Sequence, residues 1–133
     1  MKKLFISVPM RGRTQDRIQA SIEFLRRYAE LATGEQFEVI NSWFDPNPAL
    51  TEDANRVYLL GRSIQAMAEA DYVVGIRYCD EYWVGCCVEV QVAHQYGKPY
   101  LRVDWEHVAV FDDLPGILNR LWTDNQVREV PHV

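Results

Sequence analysis

Short apolar runs alternate along this chain with longer segments of helical period. KLFISV (3–8) is a run of strand formers, ended by Pro9 and Gly12. Thr14 has the chemistry of an N-cap. After it Ile18, Ile22, Leu25 and Ala29 recur at helical spacing, which predicts a helix to about Ala32 that Gly34 stops. FEVIN (37–41) predicts a second strand and opens into SWFDPNPAL, a loop by its prolines and Asp/Asn content. Thr51, Glu52 and Asp53 begin a second helix with Val57, Leu60, Ile64 and Met67 on one face. DYVVGI (71–76) is a third strand, and its unbroken apolar run predicts burial on both faces. In GCCVEVQVAHQYGKPY (85–100), Cys86, Val90 and Ala93 form one helical stripe with Glu89 at its border. PYLRVD (99–104) predicts a fourth strand, 112–122 a last helix, and QVREV (126–130) a fifth, edge-like strand.

This alternation predicts a single α/β domain over residues 1–133, with a parallel sheet of about five strands and helices on both faces. Ligands of such open sheets bind at the carboxyl ends of the strands. That rule selects the loops 7–14, 41–50 and 76–85.

Composition narrows the possible ligands. The 133 residues suffice for one core and are too few for two. Fourteen Lys and Arg stand against 19 Asp and Glu, a net charge of −5, with the cations scattered. A nucleic-acid or anionic-membrane partner is therefore not expected, since both need clustered cations. A small anion remains within reach of one Arg and a few backbone N–H groups. No run approaches the roughly 20 apolar residues of a membrane span. The apolar start LFISVPM is too short for a signal peptide and runs straight into RGR, so a cytoplasmic protein is expected. Cys79, Cys86 and Cys87 are crowded without a CxxC pair and read as reduced, semi-buried thiols. No ligand set for zinc is complete, and neither metal nor cofactor is expected. Nothing singles out His94, His107 or His132 as the activator of a nucleophilic Cys.

Three stretches can carry chemistry. SVPMRGRT (7–14) is neither GxxxxGK[ST] nor GxGxxG. It is either an anion-binding turn charged by Arg11 or Arg13, or an ordinary strand-to-helix connection. Glu89 is either a carboxylate favoured by the helix macrodipole, or one that leans toward the strand ends as nucleophile or base. Trp43, Phe44, Tyr82 and Trp83 lie in loops, where they either stack on a flat ligand or cap the core. Asp45, Asp80 and Glu81 are spare carboxylates nearby.

Taken together, FISVPMRG, VINSWFDP, ADYVVGI and GCCVEVQVAHQYGKPY resemble the nucleoside 2-deoxyribosyltransferase-like superfamily. The likeness is greatest to its phage and bacterial branch, which carries an ISGPM-type first loop and a GAxxEVxxAxxxGxPV-type helix. The motifs agree in order and spacing over residues 2–104, and the last 29 residues find no counterpart. The resemblance implies a flavodoxin-like three-layer sandwich and chemistry at an N-glycosidic bond. It places Glu89 at the position of a nucleophile that attacks the anomeric carbon. Val8, Pro9, Met10, Arg11 and Gly12 fall on the segment that cradles the sugar or its 5′-phosphate. Trp43, Tyr82 and Trp83 are then expected to stack on the base, with Gly85 at the head of the nucleophile helix.

Two departures from the family pattern stand beside this match. Active relatives carry Tyr in the first strand where this chain has Phe5, and Asp where counting back eight from Asp71 gives Ser63. Ser cannot act as an acid near neutral pH, and general-acid help typically contributes about 10²–10⁴ in rate. Asp80, Glu81, Asp45 or a neighbouring subunit would have to supply it. Phe5 and Ser63 are thus expected at the substrate, Ser63 as a polar binding residue. The expected function is hydrolysis or transfer of a nucleoside or nucleoside 5′-monophosphate by a homo-oligomer, a dimer or larger. A non-catalytic nucleotide or sugar-phosphate binder of the same fold is the alternative. An assembly protein without a small ligand is a third possibility.

Overall fold

A computed structural model describes residues 1–8, 10, 14–76 and 84–103. Its elements follow in the order β1 (Lys2–Ser7), α1 (Gln15–Thr33), β2 (Phe37–Val39), α2 (Glu52–Met67), β3 (Tyr72–Ile76), α3 (Val84–Gln95) and β4 (Tyr100–Val103). All strand pairs are parallel, and the sheet order is β2-β1-β3-β4. This is the flavodoxin-like doubly wound order. The expected helix at 112–122 and strand at 126–130 lie outside the described residues.

Local chemistry sets the element ends where the sequence placed them. Thr14 Oγ1 accepts from the Arg17 N–H at 3.3 Å, and Thr51 Oγ1 accepts from the Ala54 N–H at 3.2 Å. Gly34 ends α1 at φ 73°, a left-handed conformation that costs glycine nothing.

Alternation along each strand divides the core into two layers. Leu4, Ile6, Val74, Leu101 and Val103 pack with Ile18, Phe24, Leu25, Tyr28 and Ala29 of α1. On the opposite face, Phe5, Val73 and Tyr100 pack with Met67, at the end of α2, and Ala93 of α3. Each fully buried large apolar side chain contributes about 1.5–3 kcal/mol, so both layers must form for the sheet to be stable. The unbroken apolar run that follows Asp71 in β3 fits this two-sided burial of Val73 and Val74.

The helix stripes deviate from expectation in two places. Val57 was expected on the packed face of α2 but is 73% exposed, whereas Met67 is buried and Ile64 half-buried. Val57 borders the cleft at the start of α2 and not the described core. In α3 the buried residues are Cys86, Glu89 and Ala93. Glu89 therefore lies within the packed stripe, not at its border.

The two ends of the sheet are finished differently. At the amino end, Lys98 Nζ donates to the carbonyls of Ala68 and Ala70, each at 2.8 Å, and the Lys3 N–H donates to Asp71 Oδ2 at 2.8 Å. The carboxyl end opens into a cleft. None of the described helices is long and apolar enough to cross a membrane.

Candidate functional site

Glu89 comes to the cleft floor because α3 starts beyond the carboxyl end of β3 and packs back over the sheet. Its side chain is 7% exposed. Ser7, the last residue of β1, donates from Oγ to Glu89 Oε1 at 2.8 Å. Ser63, in the fourth turn of α2, brings a second hydroxyl to the same carboxyl group and favours its charged form. Hydroxyls from two different elements thus meet one acid, and the bond from Ser7 orients it.

The electrostatics follow from this enclosure. Burial disfavours the charged carboxylate and pushes the Glu89 pKa from 4.5 up to about 7, while the bonds from Ser7 and Ser63 oppose the rise. Near neutral pH the group is therefore poised between acid and base. Such a carboxyl can act as nucleophile or as proton carrier, which a solvated glutamate at pH 7 does far less well.

The cleft above it has a volume of about 1060 Å³. Val8 and Met10 line it from the end of β1; Ser42, Trp43, Phe44 and Pro46 line it from the loop after β2. Val84, Gly85 and Cys86 from the start of α3 form the far wall. The mouth carries Glu52, Asn55, Arg56 and Val57 from the first turns of α2. A large, mainly apolar cleft with a few convergent polar groups is the usual form of a small-molecule site.

The loop 41–51 is held by its own side chains and by side chains of α2. Asn41 Oδ1 accepts from the Trp43 N–H at 3.0 Å, and its Nδ2 donates to the Trp43 carbonyl at 2.9 Å. Asn55 on α2 accepts at Oδ1 from the Asn47 N–H at 2.7 Å and donates back to the Asn47 carbonyl at 3.0 Å. The Arg62 guanidinium lies 5.0 Å from the centroid of the Phe44 ring. These bonds present Trp43, 51% exposed, as one wall of the cleft.

Of the residues expected at the site, Val8, Met10, Trp43, Ser63, Gly85 and Glu89 share this cleft. Phe5 does not reach it. The ring is fully buried under α2 and α3, one side-chain position short of the strand end, and Ser7 occupies the position that meets Glu89. Pro9, Arg11, Gly12, Tyr82 and Trp83 lie outside the described residues, as do Asp80 and Glu81. Asp45 is exposed and is not among the cleft-lining residues.

Ser7, Asn55 and Arg56 were missed by sequence reasoning. The signal for Ser7 was strand parity: it shares a face with Phe5 and is two residues nearer the ligand end. Cys86 is buried, and Cys87 is disulfide-bonded, against the expectation of reduced thiols throughout. Among the described residues no three His, Cys, Asp or Glu side chains group together.

No family model matches this chain, and no curated protein or solved structure matches it either.

Proposed function

We propose that the protein cleaves or transfers the N-glycosidic bond of a nucleoside or nucleoside 5′-monophosphate, with Glu89 as the nucleophile. The observation that carries this reading is a buried carboxyl with a pKa of about 7. It is held by Ser7 and Ser63 at the floor of a cleft of about 1060 Å³. The resemblance of four ordered sequence segments to the nucleoside 2-deoxyribosyltransferase-like superfamily supports it.

The ionised carboxylate attacks the anomeric carbon as the C1′–N bond breaks, and the bond's electron pair leaves on the base, which takes a proton from solvent water. Water, or the nitrogen of a second base, then displaces the carboxylate from the glycosyl ester and returns Glu89 to its starting form. Ser7 and Ser63 hold the attacking oxygen in line, and Trp43 offers a face for the base. Arg56 at the mouth is placed to meet an anionic end of the substrate.

The test is free-base release from a panel of nucleosides and 5′-monophosphates, read by chromatography. Wild-type protein releases base and Glu89→Gln does not; equal release from the two would sink the reading. Activity rises with pH through about 7, as Glu89 loses its proton.

One observation favours a second reading, a non-catalytic binder of the same ligands. Among the described residues that line the cleft, the carboxyl groups are Glu89 and Glu52, and Glu52 is exposed at the mouth. A departing base then lacks an evident acid. Calorimetric binding of nucleotides without turnover, retained in Glu89→Ala, would establish that alternative. A homo-oligomer belongs to both readings, since Trp43, Val57 and Val84 leave apolar surface at the cleft mouth. Light scattering measures the mass directly.

A further inference from the structure

The Tyr100 side chain is fully buried, and its hydroxyl has no hydrogen-bond partner among the described residues. Phe of the same shape would fill this space without an unsatisfied O–H, so the hydroxyl calls for a reason. Strand register supplies the setting. Phe5, Val73 and Tyr100 form one row across β1, β3 and β4, and Ser7, Gly75 and Arg102 form the row two residues nearer the cleft. Gly75 has no side chain, and Tyr100 leans into the vacancy. A Cβ at Gly75 would lie 2.7 Å from the Tyr100 oxygen and 3.1 Å from the Ser7 Cβ. The phenol thus takes the place of a β3 side chain, beside the serine that bonds Glu89. Ser7 Oγ gives its proton to Glu89 Oε1 and keeps lone pairs with which to accept another.

We propose that Tyr100 is a positioning residue for Glu89: from the Gly75 notch its O–H donates to Ser7 Oγ when Glu89 is charged, and the donor chain Tyr100–Ser7–Glu89 holds the carboxylate for reaction. Hydrogen bonds in series polarise one another, so a phenol behind Ser7 strengthens the bond that favours the ionised acid. Among the described residues the groups around Glu89 are few. Ser7 faces it from β1 and Ser63 from α2, with Glu52 and Arg56 at the mouth; Cys86 lies on α3 itself, and β4 supplies Tyr100 and Arg102. β3 contributes only the notch. Burial raises the Tyr100 pKa, with Cys86 and Glu89 adding to the rise and Arg102 opposing it, so the phenol stays a proton donor across the neutral range.

The role rests on Glu89 being the working carboxylate, but its test needs no turnover. The side-chain carboxyl of Glu89, assigned by its loss in Glu89→Gln, is titrated by carbon-13 NMR in wild type, Tyr100→Phe, Ser7→Ala and the double variant. Tyr100→Phe is expected to raise the midpoint by half to one pH unit, about three- to tenfold in proton affinity. The same change in the Ser7→Ala background is expected to leave the midpoint where Ser7→Ala puts it. An unmoved midpoint in the single variant, or equal shifts in both backgrounds, overturns the proposal. Should Tyr100→Phe not fold, Gly75→Ala displaces the phenol with a methyl group and must raise the midpoint in the same direction. If the titration behaves as expected while no base is released, the glycosidic reading fails and the positioning role stands.

Discussion

Glu89 sits among groups that pull its proton affinity in opposite directions. Burial raises the pKa to about 7 against the ordinary 4.5, and the two serine hydroxyls hold it from rising further. The folded protein therefore keeps a proton that the unfolded chain has already lost between these two values. Stability falls as pH climbs through this window, and the deficit is complete above pH 7. At 1.36 kcal/mol per pKa unit the deficit is about 3 kcal/mol. Glu89→Gln removes it. The variant is expected to be more stable than wild type by about 2–3 kcal/mol at pH 8 and equal to it near pH 4, measured by urea unfolding. A loss of stability at pH 8 would show that the hydroxyls compensate fully for burial. Burying this acid thus costs stability, a cost that functional sites commonly carry.

At the scale of elements, α2 does two jobs with one helix. Its last turn ends at Met67 in the core, while residues of its first turns line the cleft. Asn55 ties those turns to the loop after β2 through Asn47. Asn55→Ala is expected to cost about 1–3 kcal/mol, because buried or half-buried backbone groups lose their partners. It is also expected to speed amide exchange over 47–51 and to weaken ligand binding more than it slows any chemical step. Unchanged exchange in that loop would contradict the assigned tether.

The same element shows how far sequence carries. Thr51 and the periodic apolar residues located the helix correctly, because capping and amphipathicity are local. Val57 was misplaced, because periodicity reports which side of a helix is apolar and not what that side meets. Glu89 was legible as an acid out of place in a docking helix. Its seat was not, since Ser7 and Ser63 are far from it in the chain and meet it only through the crossover geometry. Tyr100 was further from reach still. Its hydroxyl gains meaning only once register sets it beside a glycine on the next strand.

For the whole molecule, the contrast between the two sheet ends organises function. Lys98 and Asp71 close the amino end with bonds to backbone, so that end is spent on holding the layers together. The carboxyl end gathers residues from β1, α2 and α3 around a cleft of about 1060 Å³. An acid half-ionised at neutral pH beneath such a cleft makes occupancy a proton-coupled event. Whatever enters further excludes water from Glu89 or places charge beside it, and the protein must take up or release a fraction of a proton in response. Calorimetry of one ligand in phosphate and in Tris is therefore expected to give different apparent heats at pH 7, with the difference vanishing in Glu89→Gln. The buffer then becomes a reagent that reports, without any label, when the cleft is filled.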